Sequence, residues 1–264
     1  MENISTIIDA LHLEDLKNKM HPSVFDKNEH YNMLIIRIPL LLEEEIQVKS
    51  MGFIITKDGS YYYNKDHNDF ESYDDKFESI HKMLNPFIDK LLKKFVKYQD
   101  HIGDMEDNLY EASRHEGFLT QWLGLKRDIL HIERILLRTS LTIQDLIDSY
   151  KHENSFPENH YLDLHEHIER VLRSATFQLS KLDYLYNFHN VRTNEKMNRM
   201  VYLLTVISAI FLPLNLAVGF FGMNTSGLPF TSGSNGTWYA LSLLSLSLLA
   251  TIGILNVIKK RHVQ

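Results

Sequence analysis

The chain has 264 residues, no cysteine, 23% charged and 44% hydrophobic residues, and a formal charge of −6. Length alone predicts one or two domains, at about 150 residues each. The absence of cysteine excludes a disulfide framework, a thiolate-ligated zinc site and a thiolate nucleophile. The acidic balance does not support a nucleic-acid partner, which would call for a basic face. Met1 to Glu14 has no basic stretch followed by an apolar run, so no cleavable signal peptide is expected.

The mean charge hides a division. From Arg192 onward, Arg192, Lys196, Arg199, Lys259, Lys260 and Arg261 face only Glu195, a balance of +5 that leaves −11 for residues 1–191. An acidic, water-soluble part therefore precedes an apolar tail with basic flanks.

The first part reads as β-structure. Met33-Leu34-Ile35-Ile36-Arg37-Ile38, Ile46-Gln47-Val48 and Gly52-Phe53-Ile54-Ile55-Thr56 are β-rich. Lys57-Asp58-Gly59-Ser60 is a turn signal ahead of Tyr61-Tyr62-Tyr63. A small α/β element is expected over residues 1–80. Lys65 to Glu78 is acidic and polar and reads as an exposed connection. A helical part is expected over 81–197. In it, Pro86 to roughly Glu116 and Leu119 to roughly Lys151 carry apolar residues at helical spacing, with Gly103, Gly117 and Gly124 as weak points.

Phe156-Pro157 reads as a turn into one very long helix. From Glu158 to Leu212, 55 residues pass without Gly or Pro. Leu164, Ile168, Val171, Ala175, Leu179, Leu182 and Tyr186 recur at spacings of three and four. A continuous helix would extend about 80 Å at 1.5 Å per residue. The alternative is two helices with a break near Asn187–Asn194. His160, Asp163 and His167 share one face of this helix at i, i+3 and i+7, with His165 close by. Their N and O donors suit Zn²⁺ at roughly 2.0–2.2 Å; the same spacing also suits a solvated or intersubunit face.

Val201–Phe221 and Trp238–Ile258 are each 21 residues long and free of charge. A transmembrane helix needs about 20 apolar residues, and lipid leaves the backbone no partner outside the helix. Two spans are therefore expected: a first over 198–221, then a loop over 222–237, then a second span with a basic tail over 238–264. Basic residues flank the outer sides of the pair, and Gly222–Thr237 carries no charge. The positive-inside rule then places both termini in the cytoplasm of a multi-pass inner or plasma membrane protein. Stepped at 100° per residue, Asn198, Val201, Thr205, Ser208, Leu212, Asn215 and Gly219 of the first span share one sector, and the opposite sector is apolar. Such a stripe suits a permeation path or helix–helix packing. One hairpin cannot enclose a pore, so a path demands an oligomer with cyclic symmetry. The second span, with Ser242, Ser245 and Ser247 off any single narrow face, reads as an outer helix against lipid.

After the first span comes Phe221-Gly222-Met223-Asn224. With this tripeptide at the outer end of the first of two C-terminal spans, the chain resembles the CorA-type metal-ion transporter family. Met197–Met200 through Ile210–Pro213 to Gly222-Met223-Asn224 resembles the family's pore helix without a gap. Tyr161–Ile168 resembles its R-D-x-x-D-H segment, with Leu162 for Arg and Glu166 for Asp. The resemblance implies a mainly α-helical homopentamer with a funnel-shaped cytoplasmic part and a pore lined by five first spans. It also implies Mg²⁺ or a related divalent ion as substrate, or Zn²⁺ as in the ZntB branch. Thr225-Ser226-Gly227-Leu228-Pro229 is more similar to that branch's N-x-G-G-[IV]-P loop.

Within that implied pore, Gly222, Met223 and Asn224 would select the ion. Mg²⁺ gives up its waters reluctantly, and neutral oxygens can hydrogen-bond those waters without stripping them. Asn198, Thr205, Ser208 and Asn215 would line the path. Val201, Leu204 and Leu212 would form apolar constrictions that gate by dewetting. Asp163 matches a position the family links to regulatory Mg²⁺, so Mg²⁺ or Zn²⁺ is expected as cargo and as a regulatory ligand. No HExxH, P-loop or nucleophile elbow occurs, so neither catalysis nor a catalytic cofactor is expected. The competing reading is a membrane-anchored helical scaffold or sensor, which would need neither the stripe nor the tripeptide.

Overall fold

The structure, a computed structural model, describes residues 4, 7–42, 45–111, 117–223 and 235–262. The fold is mainly helical with a small N-terminal sheet. Helix α1 (Ala10–Lys17) is capped by Asp9, whose carboxylate accepts the Leu11 N–H at 2.8 Å. Five strands follow: β1 (Val24–Lys27), β2 (Asn32–Leu41), β3 (Ile46–Ile55), β4 (Ser60–Asn64) and β5 (Asp69–Tyr73). They pair in sequence order as an antiparallel meander.

Two expectations change here. Ile46–Val48 and Gly52–Thr56 belong to one ten-residue strand, because Lys49, Ser50 and Met51 pair with Ile38, Arg37 and Ile36. Backbone pairing carries the strand across the polar side chains of Lys49 and Ser50. The acidic stretch read as an open connection contains β5, which pairs with β4 at the sheet edge. Its Asp69 and Glu71 are exposed, a charge pattern that blunts an open edge.

Strand β2 is buried on both faces, which is why its sequence is a continuous apolar run rather than an alternation. Met33 and Ile35 join Leu16 of α1, Ile54 and Tyr63 in one core cluster. Gly52, opposite Ile35, makes room for α1: a Cβ there would stand 2.5 Å from Leu16 Cδ2. Two 33-residue helices, α2 (Glu78–Tyr110) and α3 (Phe118–Tyr150), pack against β2, so the sheet and the helices after residue 80 share a core. The Thr139 hydroxyl donates to the Arg37 carbonyl at 2.7 Å, and Lys94 Nζ to the Leu41 carbonyl at 2.7 Å. Helix α2 begins two turns before Pro86. Burial of Ile80 and Leu84 offsets the one hydrogen bond the proline cannot donate.

Helix α4 (Glu158–Phe221) is a single helix of 64 residues that passes through Pro213. No break occurs near 187–194. Its buried positions are Tyr161, Leu164, Ile168, Val171, Ala175, Gln178, Leu182 and Leu185, a strict alternation of three and four. Gln178 and Leu185 take the places expected for Leu179 and Tyr186. Tyr186 instead stacks on Trp122, centroids 4.6 Å apart. Pairings advance together along α2 and α4 (Asp89–His167, Gln99–Ser174, Glu106–Lys181), so these helices run parallel. Pairings between α3 and α4 (Ser140–His165, Glu133–Thr176, Lys126–Asp183) run oppositely. Helix α5 (Gly236–His262) occupies the second expected span. The chain divides into two compact units, residues 1–187 and 188–264.

Candidate ion path and metal-ligating cluster

In the second unit, α4 contains an apolar window long enough to cross a membrane, and none of that window is buried. Among the described residues α5 contributes a shorter apolar stretch, Leu241–Thr251. The two sides of α4 differ in cover. Val206, Ala209, Ile210, Pro213, Leu214, Ala217 and Phe221 are half-buried at helical spacing on one side, and Leu203, Ile207 and Val218 at its margin are exposed. Asn198, Thr205, Ser208 and Asn215 lie on the other side, all exposed, together with Val201 and Leu212. Leu204, at the margin of that side, is also exposed.

The Thr205 hydroxyl donates to its own helix, at the Val201 carbonyl, 2.8 Å away. That bond uses the hydroxyl proton and leaves the oxygen able to accept. The Gly222 N–H closes the helix end on the Val218 carbonyl at 2.9 Å. A Cβ at Gly222 would meet that same oxygen at 3.0 Å, tighter than side chains normally tolerate. Gly222 and Met223 are exposed at this end, and Asn224 lies outside the described residues.

In the first unit, the start of α4 is locked to the start of α2. Tyr161 is fully buried, and its hydroxyl donates to the Phe77 carbonyl at 2.9 Å. Burial raises that phenol well above its ordinary 10, so it remains a donor. Phe77, Tyr150, Phe156 and Tyr161 form one aromatic cluster around the bond.

The face expected to group His160, Asp163 and His167 is divided by α2. His160 Nδ1 lies 3.1 Å from Glu78 Oε2, and its ring is 5.0 Å from that of His81. One ligand atom from each of Glu78, His81 and His160 falls within 4.8 Å of the others. His167 lies one level along, with Nδ1 3.3 Å from Asp89 Oδ1 and Nε2 3.7 Å from Asp163 Oδ1. Asp163 itself is exposed. His165 turns to α3 and the Ser140 hydroxyl, 3.0 Å away. Burial, then the neighbouring His160, lowers the pKa of His81, against the smaller opposing pull of Glu78, Asp163 and Asp89. Glu78 and His81 were not legible as site residues. They are a helix pair at i and i+3, and nothing local ties them to a histidine on another helix.

The last helix of the sheet-and-helix unit thus runs on into an apolar stretch long enough to cross a membrane, with an exposed stripe of neutral polar groups. The chain belongs to the family described as CorA-like Mg²⁺ transporter protein, whose model matches residues 2–260. It is similar to the zinc transport protein ZntB of Vibrio parahaemolyticus, 26% identical over 168 residues, 63% of this chain and 52% of that one. The divalent cation transporter CmaX of Pseudomonas aeruginosa is 22% identical over 169 residues, 63% of this chain and 47% of that one. The chain thus spans about half the length of these two relatives. The structure of full-length CmaX matches 96% of this chain and 82% of its own, with a TM-score of 0.72 at 17% identity. The cobalt/magnesium transport protein CorA of Methanocaldococcus jannaschii is 22% identical over 261 residues, 87% of this chain and 77% of that one. Its complete structure matches 95% of this chain and 84% of its own, with a TM-score of 0.70 at 18% identity.

Proposed function

We propose that this chain is a divalent-cation channel of the inner or plasma membrane, built as a homopentamer in which five α4 helices line one pore and α5 lies outside. One observation carries the reading. Among the described residues, the side of α4 bearing Asn198, Thr205, Ser208 and Asn215 is uncovered, while Val206, Ile210, Leu214 and Ala217 on the opposite side are half-covered. Polar groups in a span are expensive against lipid and normally face a bundle interior or water. Other copies of the same helix would give this stripe its partners, and closed cyclic symmetry turns the stripe into rings.

The rings are neutral, which suits an ion that travels with its waters and must leave as readily as it enters. Gly222, Met223 and Asn224 form the outer filter in this reading, and Val201, Leu204 and Leu212 the apolar gate. Both termini lie in the cytoplasm, where Asp163 offers an exposed carboxylate for a regulatory cation. An Asp163→Ala channel that still closes normally at high Mg²⁺ would remove that residue from the regulation.

Uptake into proteoliposomes, read with separate Mg²⁺ and Zn²⁺ dyes, tests the proposal against Asn224→Ala. Entry abolished by the substitution supports a pore through this tripeptide, and the ion preference identifies the cargo. No entry of either ion, from inserted and folded protein, would overturn it in favour of a tethered scaffold or sensor.

A further inference from the structure

We propose that Glu78, His81 and His160 form a binding site, within one chain, for a borderline transition-metal ion, Zn²⁺ before Mg²⁺, that clamps the start of α4 to the start of α2. The inference is independent of transport, since the three side chains lie in the first unit and come from a single copy.

The donor set decides the class of ion. Two imidazoles and one carboxylate match the His₂Glu arrangement that Zn²⁺ accepts, with a fourth position open to water. Mg²⁺ prefers an all-oxygen octahedron and would find too few oxygens here. The geometry is near what is needed. A tetrahedral ion about 2.1 Å from each donor sets the donors roughly 3.4 Å apart. His160 and Glu78 already stand at 3.1 Å, and all three ligand atoms fall within 4.8 Å of one another. Small rotations of the side chains close the remainder.

Two further features favour a ligand. His81 Nδ1 is a buried atom with no hydrogen-bond partner among the described residues. Its unmet capacity is a cost unless something occupies it. The backbone beneath the site is also held. Glu78 follows Phe77 and His160 precedes Tyr161, and these two buried neighbours are joined by the 2.9 Å hydrogen bond from Tyr161 to Phe77. Two of the three ligands thus sit beside a fixed point, which lowers the entropy lost on binding. The competing state is a plain ion pair of His160 with Glu78, whose other oxygen, Oε1, lies 3.6 Å from Lys82 Nζ.

Zn²⁺ titration of the full chain in detergent by calorimetry, with thermal unfolding alongside, separates the two. The wild type is compared with His160→Asn and with His81→Gln/His160→Asn. Other histidines bind equally in all three proteins, so the difference isolates this site. The expected result is that both variants lose a Zn²⁺ ion per chain, or bind it at least about 100-fold more weakly, more than loss of an outer partner costs. The rise in unfolding temperature with Zn²⁺ should shrink in parallel, and excess Mg²⁺ should leave the wild-type site filled. Equal stoichiometry and an equal thermal response in wild type and variants would overturn the proposal, as would displacement by Mg²⁺. His160 is half-exposed, so the single variant retains the fold and decides the matter if the double variant does not.

Discussion

The Tyr161 hydroxyl and the Phe77 carbonyl, 2.9 Å apart and buried, join the first turn of α4 to the residue that opens α2. The bond closes the parallel pair of helices at one end, while Asp89–His167 and Glu106–Lys181 continue it along their length. Replacing Tyr161 by Phe keeps the ring in its aromatic cluster and strands the carbonyl without its donor. The expected loss is about 1–2 kcal/mol of stability, read by chemical unfolding of the full chain in detergent. An unchanged midpoint would mean that water or another donor replaces the phenol.

Gly52 is set by the approach of α1. Gly52→Ala places a methyl 2.5 Å from Leu16 Cδ2 in a packed cluster, and overpacking of this kind costs about 1–3 kcal/mol. Leu16→Ala in the same chain removes the clash, so the double variant should lose less than the two single losses added together. Strict additivity in a double-mutant cycle would place the cost elsewhere.

The proposed gate makes a directional prediction. Leu212 is 74% exposed on the side of α4 assigned to the pore. In the proposed pentamer, Leu212→Ser wets the constriction and raises resting flux, because an apolar ring closes by excluding water. Asn215→Leu, one turn along the same side, should lower flux. Ala217→Ser, on the half-covered side, should leave it unchanged. A rise with Ala217→Ser and none with Leu212→Ser would place the path on the other side of the helix.

Lys65 sets a pH dependence. Its ammonium donates to the Ser50 hydroxyl at 2.9 Å and the Asn18 carbonyl at 3.2 Å. Burial foremost, then repulsion from Lys19 and Arg37, lowers its pKa from 10.5 to about 8. The unfolded chain therefore holds the proton more tightly than the folded one. Stability is least where both states are charged, below pH 8, and rises as pH climbs from about 8 toward 10.5. From pH 10 upward the raised phenols of Tyr62 and Tyr73 oppose the gain, because the unfolded chain then loses protons more readily. Thermal unfolding between pH 8 and 10 should show an upward slope that Lys65→Met flattens. An equal slope in both proteins would assign it to another group.

Several elements could be read locally, and others could not. The strands Met33–Ile38 and Tyr61–Tyr63, the helix ending near Tyr150 and the turn at Phe156-Pro157 all fall where side-chain pattern alone puts them. The middle of β3 does not, because Lys49 and Ser50 are polar and are held in the strand by pairing with β2. The acidic β5 is hidden for the same reason. Gln178 lies in the core of α4 because the helix keeps its three-and-four register against α2 and α3, and the register passes through a polar residue. Hydropathy favours Leu179 instead.

The candidate sites divide along the same line. The stripe from Asn198 to Asn215 needs only a helix to become a line, and α4 supplies it. Helical periodicity is a local property of the backbone, and the partition of a charge-free run into lipid depends on composition, so the apolar runs, the stripe and the family tripeptide are all present in the sequence by itself. The histidines follow a different rule. His160, Asp163 and His167 share a face of α4, yet which of them meet depends on what α2 presents opposite. Glu78 and His81 take His160, and Asp89 takes His167. A ligand set is a relation between side chains far apart in the chain, and only packing brings Glu78 to His160 across 82 residues.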